Sequence, residues 1–246
     1  YVDKTMFMHR LIDTNEAKLF FVSRPRRFGK SLTISTLKAI FQGRRELFEG
    51  LKINETDWEW EQYPIIHFEF NDVDTTNLER FDASFAIHVQ DRLKKSGYAY
   101  DNSISPVANF GFAIETLSAS NGGNGVVILI DEWDCLFREY AHNTDAQRKY
   151  LDFLRAWLKD QDYVALAYMT GILPIKKYGT HSALNMFMEY SMTDPYDMAE
   201  YFGFTEADAK DAVEVYREHF GTRGLFENEL YEGIPQMLKD LKSRGK

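Results

Sequence analysis

Short apolar runs alternate along the chain with longer stretches in which apolar residues recur every three or four positions. The short runs are typical of buried strands, and the longer spacing is typical of helices that pack on one face. Five strands are predicted, at residues 19–22, 65–70, 126–130, 163–170 and 188–192. Helices are predicted at residues 30–42, 78–95, 107–119 and 146–159. Strands joined by helical crossovers predict a layered α/β fold with a mainly parallel sheet.

The C-terminal part of the chain has a different pattern. From about residue 194 onward the apolar spacing is helical, and no further strand is predicted. The length of 246 residues corresponds to about 1.6 domains of typical size. We therefore expect a core over residues 1–193, followed by a small helical subdomain over residues 194–246.

Composition narrows the class of protein. Hydrophobic residues make up 44% of the chain, and no run approaches the ~18 apolar residues that a membrane span requires. The single cysteine, Cys135, excludes an internal disulfide framework, and the N-terminus does not resemble a secretory leader. We therefore expect a cytoplasmic protein without membrane association. Because the chain begins at Tyr1 rather than at a methionine, we also expect it to be a segment of a longer protein.

The charge of the chain is unevenly distributed. A net charge of −9 argues against general affinity for nucleic acid or anionic lipid. However, residues 1–53 hold 11 basic and 5 acidic side chains, a local charge of +6, whereas residues 54–246 carry −15. The N-terminal region therefore has the charge expected around an anionic ligand.

The sequence SRPRRFGKSL at 23–32 lies between a predicted strand and a predicted helix. It matches the second half of the phosphate-loop pattern GxxxxGKS. Gly29 lets the backbone approach a phosphate, Lys30 reaches the terminal phosphates, and Ser31 can ligate Mg²⁺ at the helix N-terminus. Arg24 occupies the position of the first glycine, so this segment alone also fits a basic surface turn capped by Ser31.

A second motif, VVILIDEWD at 126–134, has the form of a Walker B element. In this interpretation Asp131 holds Mg²⁺, directly or through water, and Glu132 polarises the attacking water. Carboxyl ends of parallel strands meet at one edge of an open sheet, so both motifs are expected at the same crevice. The alternative is that Asp131 and Glu132 begin a solvated loop and cap the next helix.

Further polar residues follow the strand predicted at 163–170. Thr170 is placed at the same edge of the sheet, where a hydroxyl can sense the γ-phosphate or orient water. The alternative is that Thr170 starts a turn before Gly171. Lys176 and Lys177 could neutralise transition-state charge, although solvated lysines are the commoner outcome.

Five segments of the chain resemble the AAA-ATPase-like family of bacterial proteins. They are YVDKT at 1–5, SRPRRFGKSL at 23–32, LFEGLKI at 47–53, LIDEWD at 129–134 and TGILPIKKYGTHSALN at 170–185. The family resembles P-loop ATPases of the additional-strand, catalytic-glutamate type, and arginine in place of the first glycine is typical of it. The resemblance implies a P-loop NTPase three-layer sandwich with a mainly parallel five-stranded sheet, and ATP and Mg²⁺ as ligands. The implied nucleotide-contacting residues are Arg24, Pro25, Arg26, Arg27, Phe28, Gly29, Lys30, Ser31 and Leu32, with Ser31 and Asp131 on the metal and Lys30, Glu132 and Thr170 in catalysis.

The family also implies features beyond these motifs. Many relatives look like fusions to a C-terminal domain that resembles PD-(D/E)XK nucleases, but residues 194–246 lack such a constellation. We expect that domain to be truncated or absent, and contact with nucleic acid only through it. Trp133 and Cys135 stand where relatives more usually have tyrosine and lysine, which affects only local packing. We further hypothesise that at least one of Arg24, Arg26 and Arg27 supplements Lys30 on the phosphates.

Other candidate residues are weaker. Cys135 has no neighbouring base and is expected to be a packing residue. The six histidines show no paired spacing, so no zinc site is predicted. His181, Ser182 and Asn185 could share a helical face near the crevice, but such a face is more often plain polar surface. Aromatic residues that could stack on a base, but more often pack in a core or interface, are Trp58, Trp60, Tyr98 and Tyr100.

The leading hypothesis is an ATP-binding, Mg²⁺-dependent ATPase domain whose turnover changes the conformation of a larger protein. The main alternative is a nucleotide-gated switch that binds ATP without hydrolysis and controls a fused or partner effector. A P-loop kinase is less favoured, because Glu132 directly follows the metal-binding carboxylate and suits water activation. A direct nucleic-acid binder is least favoured because of the net charge.

Overall fold

The computed structural model describes residues 2–13, 18–70, 73, 78–159, 162–175, 186–203, 205–224 and 234–243. Its centre is a five-stranded sheet. The strands are β1 (Leu19–Ser23), β2 (Ile65–Glu69), β3 (Val126–Asp131), β4 (Val164–Gly171) and β5 (Met188–Ser191). All neighbouring pairs are parallel, and the order across the sheet is β2-β3-β4-β1-β5. The prediction of a mainly parallel five-stranded sheet is confirmed.

The helices alternate with these strands as predicted. They are α1 (Thr5–Ile12), α2 (Lys30–Phe41), α3 (Leu78–Lys95), α4 (Pro106–Ser120), α5 (Cys135–Glu139), α6 (Thr144–Leu158), α7 (Glu206–His219) and α8 (Ile234–Ser243). The sequence pattern did not predict α1 or the short α5. Both are too short to show a clear helical period, and α5 follows a strand directly.

Two apolar cores cover the two faces of the sheet. Ile128 and Ile130 of β3 pack on one side with residues of α3, α4 and α6. Val127 and Leu129 pack on the other side with residues of α1 and α2. Every residue of β3 is buried, as expected of a strand without polar alternation. The architecture is the three-layer sandwich typical of P-loop NTPases.

The chain divides into two compact units, residues 3–202 and 203–246. A 3-10 helix at Tyr196–Tyr201 belongs to the first unit and buries Met198. In the second unit, α7 begins at a capping box, in which Thr205 and Asp208 satisfy each other's backbone N–H groups. Within the part of the chain that the structure describes, no helix is long and apolar enough to cross a membrane.

Candidate functional site

The loop between β1 and α2 begins at Arg24, whose backbone N–H donates to the carbonyl oxygen of Gly171 at 3.0 Å. This bond ties the loop to the end of the neighbouring strand β4. Gly29 has a φ of +75° and ends the loop immediately before α2. Glycine adopts this left-handed conformation without steric cost, which explains its place at the helix start. Arg27 takes a similar φ of +68°.

The backbone amide groups of this loop lead into the first turn of α2. Among the described residues, the backbone N–H groups of residues 26–32 donate no backbone hydrogen bond outside α2. The first turn of any helix leaves such donors unpaired, and the helix dipole adds positive potential there. Pro25 to Gly29 are exposed, so the donors of the loop are accessible.

A hydrogen bond joins the first turn of α2 to the end of β3. The Ser31 hydroxyl donates to Oδ2 of Asp131 at 2.7 Å, and the backbone N–H of Glu132 donates to Oδ1 at 3.0 Å. Asp131 is 2% exposed, and this burial raises the pKa of its carboxyl group, against the opposing effect of the Ser31 hydrogen bond. Serine hydroxyl and carboxylate oxygens are the ligand types that Mg²⁺ prefers.

Lys30 connects the loop to Glu132. Its Nζ donates to the carbonyl oxygen of Pro25 at 3.2 Å and lies 4.0 Å from Oε1 of Glu132. Lys30 is 7% exposed, which is unusual for a lysine. Glu132 has a φ of +56°, a left-handed conformation that costs energy for a residue with a Cβ. Strain of this kind at a charged side chain is typical of functional sites.

Arg138 is a site residue that the sequence did not indicate. Its Nη1 lies 2.6 Å from Oε2 of Glu132, and the two side chains are only 23% and 14% exposed. The short helix α5 brings Arg138 back toward the end of β3. In the sequence, the only indication of this contact is that Arg138 follows Asp134 by one helical turn. That spacing has a meaning only once the helix α5 is known.

A known protein family matches most of the chain. The family model described as "Predicted AAA-ATPase" matches residues 1–180. The chain belongs to this family. Within the P-loop class, the order of strands agrees with the additional-strand type, because β4 lies between β1 of the phosphate loop and β3 of the acidic pair. Membership in this AAA-ATPase-like family implies nucleotide binding.

Two curated proteins are similar to the chain. One is the "Uncharacterized protein in vnfD 5'region" of Azotobacter chroococcum mcd 1, which is 32% identical over 218 residues, covering 87% of this chain and 41% of that protein. The chain thus spans about two fifths of that relative. The other, a "5'-nucleotidase" of Pseudomonas aeruginosa, is 50% identical over 44 residues, which cover 18% of this chain and 20% of that protein. No solved structure matches the chain.

Thr170 of this AAA-ATPase-like chain is fully buried at the end of β4. Its hydroxyl donates to the backbone carbonyl of Val22 at 3.0 Å, across the β1–β4 pair. The structure therefore places Thr170 between the strands that carry the phosphate loop and the acidic pair. In this arrangement the proton of the hydroxyl is directed at β1, and its oxygen retains acceptor capacity.

The three arginines of the loop are placed differently. The guanidinium of Arg24 lies over the rings of Phe202 and Phe7, at 4.3 and 5.5 Å from their centroids. Its Nε and Nη2 are buried, with no acceptor among the residues that the structure describes. Arg26 and Arg27 are exposed, as are Phe28 and Leu32 on either side of the GKS triplet.

A buried clamp joins the end of β4 to the segment after the acidic pair. Oδ2 of Asp134 accepts hydrogen bonds from the backbone N–H groups of Ile172 and Leu173, at 3.1 and 2.9 Å. The Trp133 indole N–H donates to the carbonyl of Leu173 at 3.2 Å. A Cβ at Gly171 would overlap the Trp133 indole and approach Oδ1 of Asp134 to 2.8 Å. The sequence did not predict this packing, because it depends on residues 40 positions apart.

Of the remaining candidates, those that the structure describes do not join the site. Cys135 is buried, and this burial raises the pKa of its thiol to about 12, which suits a packing residue. Trp58, Trp60, Tyr98 and Tyr100 pack against the two cores. Lys176, Lys177, His181, Ser182 and Asn185 lie outside the described residues. In the described part of the chain, no three His, Cys, Asp or Glu side chains cluster as a metal site.

Proposed function

We propose that this chain binds ATP together with Mg²⁺ and hydrolyses it, and that turnover changes the conformation of a larger protein. The observation that carries this proposal is the 2.7 Å hydrogen bond from Ser31 to Asp131. It joins the phosphate loop to the acidic strand end, two motifs 100 residues apart in the sequence. A basic surface turn and an unrelated helix cap would have no reason to meet in this way.

The loop supplies the groups that bind phosphate. Amide donors at the start of α2 and the ammonium of Lys30 face the same region as the acidic pair, and a triphosphate offers Lys30 a stronger acceptor than the Pro25 carbonyl. Arg26 and Arg27 add exposed positive charge for the outer phosphate oxygens. Arg24 is engaged with Phe202 and Phe7, so we assign it to positioning the loop.

Ser31 and Asp131 are the residues that would hold Mg²⁺. When bound, the ion neutralises charge on the phosphate oxygens and fixes their orientation. The donor set fits this ion, because a hydroxyl and a carboxylate are already adjacent and leave room for phosphate and water ligands, which Mg²⁺ usually retains.

Glu132 is the proposed general base. Its carboxylate follows the metal-binding Asp131 directly and lies 4.0 Å from Nζ of Lys30, so it reaches the region that the terminal phosphate would occupy. There it would accept a proton from the attacking water. Arg138 holds one oxygen of this carboxylate, and Thr170 remains a candidate for orienting the γ-phosphate or the water.

Replacing the proposed base separates binding from turnover. In the Glu132→Gln variant, ATP affinity should stay within about threefold of the wild type, whereas phosphate release should fall by roughly 10²–10⁴-fold. Binding is measured by calorimetry and turnover by phosphate release, with Lys30→Ala as the variant that should lose binding. Unchanged hydrolysis by Glu132→Gln would contradict the assignment of Glu132.

A second candidate function is a nucleotide switch that binds ATP without hydrolysing it. The ion pair of 2.6 Å between Arg138 and Glu132 favours this alternative, because it occupies an oxygen of the proposed base. The arginine at the first glycine position of the loop favours it as well. Binding of ATP without phosphate release, also in the presence of DNA or a protein partner, would support the switch.

In our proposal, either activity acts on a larger assembly that contains a fused or partner effector. The Azotobacter relative is more than twice as long as the region that the chain matches, which supports a fused or partner effector. A cytoplasmic location is part of the same proposal, because ATP and Mg²⁺ are available there.

A further inference from the structure

A second cationic cavity lies beside the edge strand β2. Its volume is about 290 Å³, and it opens where the last turns of α2 and α3 meet the start of β2. Lys38 of α2 lines one side, His67 of β2 forms the floor, and Arg92 and Lys95 of α3 line the other side. Two turns of α2 separate Lys38 from Lys30, about 12 Å along the helix. The cavity is therefore distinct from the phosphate loop.

The lining of this cavity carries three positive charges and no carboxylate. Among the described residues, two acidic side chains stand next to it. Asp91 lies 2.7 Å from Nζ of Lys95 and 3.9 Å from Nε of Arg92, and it is 47% exposed. Glu61 accepts a hydrogen bond from the hydroxyl of Tyr63, which lines the cavity. Within the described residues, three cationic side chains of the lining thus face two neighbouring carboxylates, in a chain whose net charge is −9.

His67 adds a polar atom without a partner. Its Nε2 is buried and has no hydrogen-bond partner within the described residues. Burial, assisted by the charges of Lys38 and Arg92 and by His88, lowers the pKa of the imidazole to about 4. Buried polar atoms normally have a partner, so this nitrogen calls for a ligand or water. An anion would give Nε2 an acceptor and would also offset the surrounding positive charge.

We propose that this cavity binds a small phosphate-bearing anion, held by the charges of Lys38, Arg92 and Lys95 and by a hydrogen bond from His67. The guanidinium of Arg92 presents a planar set of donors that matches phosphate geometry. The cavity is just below the range of 300–1,000 Å³ typical of drug-sized ligands, so it suits a phosphate or a small phosphomonoester. The net negative charge of the chain disfavours a nucleic acid as the ligand.

The test is a titration of the full chain with inorganic phosphate, after the histidines have been labelled with ¹⁵N. A titration with sodium chloride at equal ionic strength is the control. The imidazole signal of His67, assigned by its loss in His67→Gln, should shift in a saturable way with phosphate only. The pKa of His67 should rise in the presence of phosphate, because an anion stabilises the protonated ring. Glucose 6-phosphate and a short DNA duplex are separate arms that distinguish the source of the phosphate group.

Substitutions test which side chains bind the phosphate. Lys38→Gln and Arg92→Gln should each weaken the phosphate effect on His67 by roughly tenfold. Lys94→Gln is the matched control, since Lys94 is an exposed lysine of α3 that does not line the cavity, and it should leave the effect unchanged. Lys30→Ala should also leave it unchanged, which separates this site from the phosphate loop. No saturable shift of His67, an equal shift with chloride, or a response to DNA alone would overturn the proposal.

Discussion

At the scale of single residues, Asp131 shows how function and stability oppose each other. Its carboxylate is buried at the end of β3, where ionisation is costly, and burial raises its pKa accordingly. The hydroxyl of Ser31 and the amide of Glu132 offset part of that cost. A buried carboxylate with only neutral hydrogen-bond donors is a good metal ligand and a poor stabilising group.

Asp131→Asn should therefore stabilise the ligand-free protein at neutral pH while removing Mg²⁺-dependent ATP binding. Because the folded-state pKa of Asp131 is raised, ionisation destabilises the wild type above that pKa, and the cost disappears as the pH falls below the unfolded value of about 3.9. The melting temperature of the variant should exceed that of the wild type at pH 7, and the difference should shrink toward acid pH. An equal or lower melting temperature at pH 7 would contradict this reading.

Arg138 is predicted to be a positioning residue for Glu132. Removing its guanidinium in Arg138→Ala takes away the contact at 2.6 Å that fixes the carboxylate. We expect kcat for ATP hydrolysis to fall by roughly tenfold, part of the 10²–10⁴-fold contribution of a general base, with KM nearly unchanged. Arg138→Lys should recover part of kcat, and Arg148→Ala, an exposed arginine on α6, is the control. A higher kcat in Arg138→Ala would show instead that the ion pair restrains the base.

The sequence indicates some of these residues and not others for a physical reason. Lys30 and Ser31 are recognisable because phosphate binding requires them at fixed spacing within one short segment. Asp131 and Glu132 are recognisable because they end a strongly apolar strand. Arg138 and Asp134 act through contacts that depend on the path of the chain after β3, and no local spacing reveals such contacts.

At the scale of elements, the functional edge is built by three parallel strands whose ends are tied together. Arg24 at the end of β1 bonds to Gly171 of β4, and the clamp by Trp133 and Asp134 holds the chain after β4 against the end of β3. The strand and helix pattern predicts these elements well because each buries a regular apolar face. The pattern does not predict α5, although that helix carries Arg138.

Gly171→Ala tests the close packing at this edge. A methyl group at position 171 would overlap the fully buried indole of Trp133, so we expect a loss of about 1–3 kcal/mol in the free energy of unfolding. Gly111→Ala is the matched control, because Gly111 lies in α4 with open space around the position of its Cβ. The control should be neutral or stabilising by up to about 1 kcal/mol. Chemical denaturation measures both, and equal effects of the two changes would exclude the packing explanation.

At the scale of the whole molecule, the phosphate loop is linked to the end of the first unit. Arg24 lies over Phe202, which is followed directly by the second unit at Gly203. In our proposed function, the conformational output would pass from the loop to Phe202 through this contact. The family match at residues 1–180 covers four of the five strands and the site, whereas β5 and the second unit lie beyond it.

The central claim is that the phosphate loop and the acidic strand end form one site for ATP with Mg²⁺. The most direct measurement is a titration of the wild-type chain with ATP, with and without Mg²⁺, read by calorimetry and by phosphate release on the same samples. The account predicts tight binding that requires Mg²⁺, accompanied by phosphate release. The gain in ATP affinity from Mg²⁺ should be lost in Ser31→Ala but kept in Ser35→Ala, which removes an exposed hydroxyl on the same helix. Absence of ATP binding by the wild type, or binding that is indifferent to Mg²⁺ and to Ser31, would contradict it.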